Sequence, residues 1–185
     1  LLQRAMYVVL QQFGFNINQE RQTHLKEWLK CVYVPIPKSY TTRTGLSEKF
    51  LKRRLEKQGW KVWRGGSIHI IRSNELYPHV QRSYQHLCTL INSYSPYLEE
   101  LQYLCEVHHG MPDFICFRNS HFKFVECKLG YEALSSKQKA CFKKLTQLGF
   151  TVELHRLVEP CTKTRIALVN PLTGEKQVIE KQLKL

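Results

Sequence analysis

The run FKFVECKL, residues 122–129, constrains this chain more than any other feature. Side chains alternate across a strand, so Glu126 and Lys128 project to one face while Val125 and Cys127 take the other. The run is otherwise apolar enough to lie inside a sheet, where a carboxylate and an ammonium are costly to bury unless something compensates. Upstream, Gly110-Met111-Pro112-Asp113 leads into a second short strand, DFICF, and the Pro112 ring pushes Met111 to extended geometry. A hairpin around Arg118-Asn119-Ser120 would bring Asp113 and Glu126 to the same end. Two carboxylates about 4 Å apart repel by roughly 4 kcal/mol at an effective dielectric near 20, a penalty that a divalent cation reverses. Oxygen ligands of this kind select Mg²⁺ or Mn²⁺, which keep waters that can serve as nucleophile.

Around this hairpin the pattern is α/β. Apolar spacing predicts two helices within residues 1–33, split near Gly14, and a linker over about 34–46, so that residues 1–45 read as an N-terminal helical extension. Ser47 is placed to cap a helix over EKFLKRRLEKQ, which Gly59 ends before the strand WKVW and a Gly65-Gly66 turn. From about 68 to 109 a polar, tyrosine-rich segment holds two helical stretches, the second opening at Pro96, and reads as a helical insertion packed on the sheet. After the hairpin come a helix over SSKQKACFKKLTQL, a strand over FTVELHRLV, and two strands joined by Pro-Leu-Thr-Gly. The expectation is a central mixed sheet flanked by helices, with residues 46–185 as one domain.

Lys and Arg number 28 against 15 Asp and Glu, a net charge of +13, which favours a polyanionic partner. Nucleic acid stands ahead of membrane, because no stretch approaches the ~20 apolar residues that span a bilayer. The seven cysteines contain no C-x-x-C pair, which argues against a disulfide framework or a four-cysteine zinc site and for a reducing compartment, cytoplasm or nucleus. No signal peptide is legible at the start, and Leu1 leaves room for a longer parent protein. Basic residues gather on two helices: Lys49, Lys52, Arg53, Arg54 and Lys57 on one, Lys137, Lys139, Lys143 and Lys144 on the other. Their placement suits a groove that tracks phosphates rather than reads bases.

Taken together, GMPDFICF, FKFVECK and LSSKQ resemble the VRR-Nuc branch of the PD-(D/E)XK nuclease superfamily, over residues 110–158. More weakly, GLSEKFLKRRLEKQGWKVWRGGS, around residues 46–67, is similar to the first helix and strand of archaeal Holliday-junction resolvases. The resemblance implies a restriction-endonuclease-like core in which Asp113 and Glu126 bind metal and Lys128 orients the attacking water or stabilises charge on the phosphate. It further implies that Gln138 helps hold the nucleophile, that Glu48 completes the metal site, and that Arg64, Gly65, Gly66 and Ser67 border the phosphate path. The function expected is an Mg²⁺- or Mn²⁺-dependent DNA endonuclease acting on branched DNA, junctions or flaps, in repair or recombination, and working as a homodimer. Rival readings are a restriction, defence or transposition nuclease and, in a different class, a non-catalytic DNA-binding module.

Several of these residues also have plainer readings. Ser135 and Gln138 form a capping-box pattern that alone accounts for the glutamine. Glu48 suits the first turn of any helix. Glu106 competes as an extra acidic ligand, and His108 and His109 sit just upstream of the motif.

Overall fold

The computed structural model describes residues 29–36, 45–68, 77–130, 132–159, 165–170, 173 and 175–181. In chain order the elements are β1 (Leu29–Pro35), α1 (Leu46–Lys57), β2 (Lys61–Arg64), α2 (Pro78–Tyr94), α3 (Leu98–His108), β3 (Phe114–Arg118), β4 (His121–Leu129), α4 (Ser136–Gln147), β5 (Thr151–Val158), β6 (Arg165–Val169) and β7 (Lys176–Lys181). The strands form one seven-stranded sheet in the order β2-β3-β4-β5-β1-β6-β7. β4, β5 and β1 run parallel at its centre, and antiparallel strands flank them on both sides. This is the mixed α/β sheet of a restriction-endonuclease-like core.

The alternation of β4 decides which helix covers which face. Leu51 and Leu55 of α1 pack with Phe114, Cys116 and Val125 on one side. On the other, Cys141, Phe142 and Leu145 of α4 join Leu87, Ile91, Leu101, Leu104 and Cys105 of α2 and α3 around Ile115, Phe124 and Val152. Helices α2 and α3 therefore pack on the sheet. The β3–β4 hairpin forms as expected, with Arg118 opposite His121 and both turn residues, Asn119 and Ser120, at positive φ (51° and 61°). Such a turn follows the right-handed twist of its strands and favours Asn then Gly. Ser120→Gly is accordingly expected to stabilise the protein by up to about 1 kcal/mol, read as a higher urea midpoint with unchanged slope.

Three local expectations are corrected. Residues 29–35, expected as the end of a helix and the start of a linker, form β1, paired in parallel with β5 and antiparallel with β6. The period-2 pattern in LKCVYVP prevails because both neighbouring strands satisfy its backbone. Helix α1 starts at Leu46 behind Gly45 in a left-handed conformation, so Ser47 lies inside the helix and caps nothing. Helix α3 starts at Leu98, two residues beyond Pro96. The expected helix over residues 1–13 lies outside the described residues.

Buried charge is not confined to the proposed site. On the α1 side of the sheet Glu153 accepts from Lys123 (2.8 Å) and Lys30 (3.2 Å) and contacts His155 Nε2 (2.9 Å). Burial raises the Glu153 carboxyl, but these partners outweigh it and hold the group far below the usual carboxylate range. This network shows what a compensated carboxylate looks like in this sheet.

Candidate active site

The β3–β4 register pairs Phe114 with Val125, and one step further sets Asp113 opposite Glu126. Asp113 Oδ2 also accepts from the Cys127 backbone N–H at 2.8 Å, which ties the carboxylate to β4. Glu126 is 2% exposed. Its Oε1 receives Lys128 Nζ at 3.1 Å and the Gln138 Nε2 donor. Its Oε2 is buried with no hydrogen bond of normal geometry. Burial first, and the Asp113 charge second, push the Glu126 carboxyl up to about 7, although Lys128 and the Asp113 backbone work against them. Burial raises Asp113 too; the Cys127 N–H lowers it, and the Glu48 charge raises it again. Against Glu153 the contrast is plain: Glu126 has one cation and an anionic neighbour.

Gln138 both caps its helix and reaches Glu126. Its Oε1 accepts from the Ser135 N–H at 3.0 Å while its own N–H donates to Ser135 Oγ at 3.1 Å, which completes the capping box at the start of α4. The remaining Nε2 reaches Glu126. The helix cap thus aims a donor at the buried carboxylate. Gln138→Ala is expected to cost about 1 kcal/mol of stability through the lost cap. It should also slow cleavage about 10-fold through a misplaced Glu126, read in parallel by denaturation and by initial rate.

Two glycines set the mouth of β3. Gly65 donates its N–H to the Asp113 carbonyl at 2.9 Å, and a Cβ there would lie 1.9 Å from the Pro112 oxygen. A Cβ at Gly110 would lie 2.4 Å from the Lys137 oxygen and 2.9 Å from the Gln138 nitrogen. The segment carrying Asp113 is therefore pressed between the turn after β2 and the first turn of α4. The sequence singled out both glycines within motifs, but the close approach itself depends on tertiary contact and has no local signal.

Glu48, in the first turn of α1, is ion-paired with Arg64. Its charge reaches Asp113 and Cys127, so it borders the acid pair. Lys49 and Arg53 are exposed on α1, while Lys52 is half-buried and pairs with Glu56 at 3.7 Å. Lys137 is exposed and Lys139 half-buried on α4. Ser67 is half-buried, beside Tyr84. Helices α1 and α4 cover opposite faces of the sheet, yet Glu48 and Gln138 bring both N-termini to Asp113 and Glu126. Glu106 is exposed on α3, and His109 closes that helix at φ 45°. Arg156, which sequence reasoning passed over, donates from Nη1 to the carbonyls of Gly130 (3.0 Å) and Glu132 (2.9 Å) in the loop between β4 and α4.

Among the described residues no group of three or more His, Cys, Asp and Glu is gathered as a metal cluster. The fit of a cation rests instead on the acid pair: opposed carboxylates, one of them raised to about 7 with an unpartnered buried oxygen. Oxygen donors and uncompensated negative charge suit a hard divalent ion.

A mixed sheet whose hairpin presents an aspartate opposite an E-x-K strand, with a helix glutamine on the glutamate, is the arrangement expected of the PD-(D/E)XK-like superfamily. Residues 75–158 match the VRR-NUC domain family. The matched residues take in α2 and α3. No curated protein matches the chain. Among the described residues no helix is long and apolar enough to cross a membrane.

Proposed function

We propose that this protein is a divalent-metal-dependent DNA endonuclease that hydrolyses phosphodiesters in branched DNA. The observation that carries the reading is the opposed pair Asp113 and Glu126, in which Glu126 ionises only at a cost that a cation removes. Asp113 and Glu126 would hold Mg²⁺ or Mn²⁺, with Glu48 at its margin. The bound ion would lower the pKa of a water and neutralise charge on the phosphate. Lys128 holds its ammonium beside Glu126, where it orients the water or meets charge developing on a phosphoryl oxygen. Gln138 fixes Glu126 so that this alignment does not have to form anew at each turnover. Arg64, Ser67 and the basic residues Lys49, Lys52, Arg53, Lys137 and Lys139 contact phosphates on either side of the sheet. Because such contacts track backbone rather than bases, shape governs the choice of substrate.

The test is cleavage of linear duplex, 5′ flap and four-way junction DNA in Mg²⁺, Mn²⁺ and EDTA. The expected result is metal-dependent cutting with a preference for the branched substrates. Equal cutting in EDTA would overturn the metal requirement, and equal rates on linear duplex would overturn the branched preference. Binding without cutting in either metal would favour a DNA-binding module.

A further inference from the structure

Gln138 can serve Glu126 only if the start of α4 is held against β4, and the loop that must do this spans residues 130–135. Among its described residues, the Gly130 N–H donates to the Leu157 oxygen at 2.8 Å, and the Glu132 N–H to the Leu129 oxygen at 3.0 Å. Gly130 itself turns at φ 49°. A side-chain anchor comes from Arg156, on β5 like Leu157. The parallel register sets it beside Lys128 on the neighbouring strand, and its Nη1 takes the carbonyls of Gly130 and Glu132 together. A single planar guanidinium thus fixes both ends of the turn from which the chain rises to Ser135.

We infer that Arg156 is a positioning residue for the nuclease site: it holds the β4–α4 loop so that the Ser135–Gln138 capping box delivers the Gln138 donor to Glu126. The inference rests on the nuclease reading for its kinetic consequence, but not for its structural one. Arg156 acts through Gln138 and touches neither reacting atoms nor the acid pair. Removing it leaves Glu126 and Lys128 in their strand and loosens the helix start.

Two measurements test this, beginning with Arg156→Gln. Amide hydrogen exchange on the whole chain without metal should show the amides of Gln138 and Lys139, bonded to Ser135 Oγ and Ser135 O, exchanging at least about 10-fold faster. The β3–β4 ladder should be unchanged. Unaltered exchange at Gln138, or an equal rise throughout the sheet, would overturn the proposal whether or not the protein cuts DNA. The second measurement is a double-mutant cycle on the cleavage rate, with Gln138→Ala as partner. The single Arg156 variant should lose up to about 10-fold in kcat, no more than Gln138→Ala, with KM little changed. The double variant should be no slower than Gln138→Ala alone. Additive losses would mean that Arg156 acts independently of Gln138, and the inference would fail. Should Arg156→Gln not fold, Arg156→Lys, which keeps the charge but reaches one carbonyl rather than two, takes its place in both experiments with the same pattern expected.

Discussion

Glu126→Gln is expected to lower the cleavage rate by about 10²- to 10³-fold while making the metal-free protein more stable at pH 8. The two effects share one cause. In an unfolded chain the Glu126 carboxyl titrates at its ordinary 4.5; in the folded protein, burial and then Asp113 push it to about 7. The folded state therefore holds this proton more tightly. Its contribution to stability is full below pH 4.5 and is lost as pH rises through 7. Above that point the carboxylate must be carried as a buried anion, a cost of up to roughly 3 kcal/mol. Glutamine keeps the acceptor that Gln138 needs and has nothing to ionise. Urea unfolding in EDTA should give nearly equal stabilities at pH 5 and a clear advantage for the variant at pH 8. Divalent metal at pH 8 should stabilise the original protein and not the variant. A variant less stable than the original at pH 8 would show that Glu126 is compensated within the protein, as Glu153 is.

Gly65→Ala is expected to destabilise by about 3 kcal/mol and to slow cleavage by about 10²-fold, while Gly66→Ala stays within about 0.5 kcal/mol of the original. The neighbours differ in one respect. A Cβ at Gly65 would sit 1.9 Å from the Pro112 oxygen, whereas one at Gly66 would meet nothing within 4 Å. The obstacle at Gly65 is backbone, which cannot rotate aside like a side chain. Relief requires the turn after β2 to move off the segment that carries Asp113, breaking the Gly65 N–H bond to the Asp113 carbonyl. Thermal unfolding and initial cleavage rates of the two variants, side by side, check this. A harmless Gly65→Ala would mean that Asp113 does not depend on that turn.

Much of the site was legible because its logic is local. Strand alternation places Glu126 and Lys128 together, the hairpin turn at Asn119-Ser120 brings Asp113 opposite, and the capping-box spacing aims Gln138. What escaped depends on neighbours distant in sequence. LKCVYVP follows a helical-looking run, and its place at the sheet centre is decided by β5, more than a hundred residues later. The grip of Gly110 on the first turn of α4 and the reach of Arg156 to two loop carbonyls leave no trace in composition or periodicity. Nor did the sequence distinguish Glu126 from Glu153, both buried in the sheet. Glu153 has Lys123, Lys30 and His155 around it, while Glu126 faces Asp113, and only assembled strands reveal that difference.

The sharing of a divalent ion between Asp113 and Glu126 is tested most directly by calorimetric titration of Mn²⁺ into the protein at pH 8, beside Asp113→Asn and Glu126→Gln. The account predicts a saturable site in the original chain that is lost in each variant separately. Undiminished Mn²⁺ binding by both variants would contradict it.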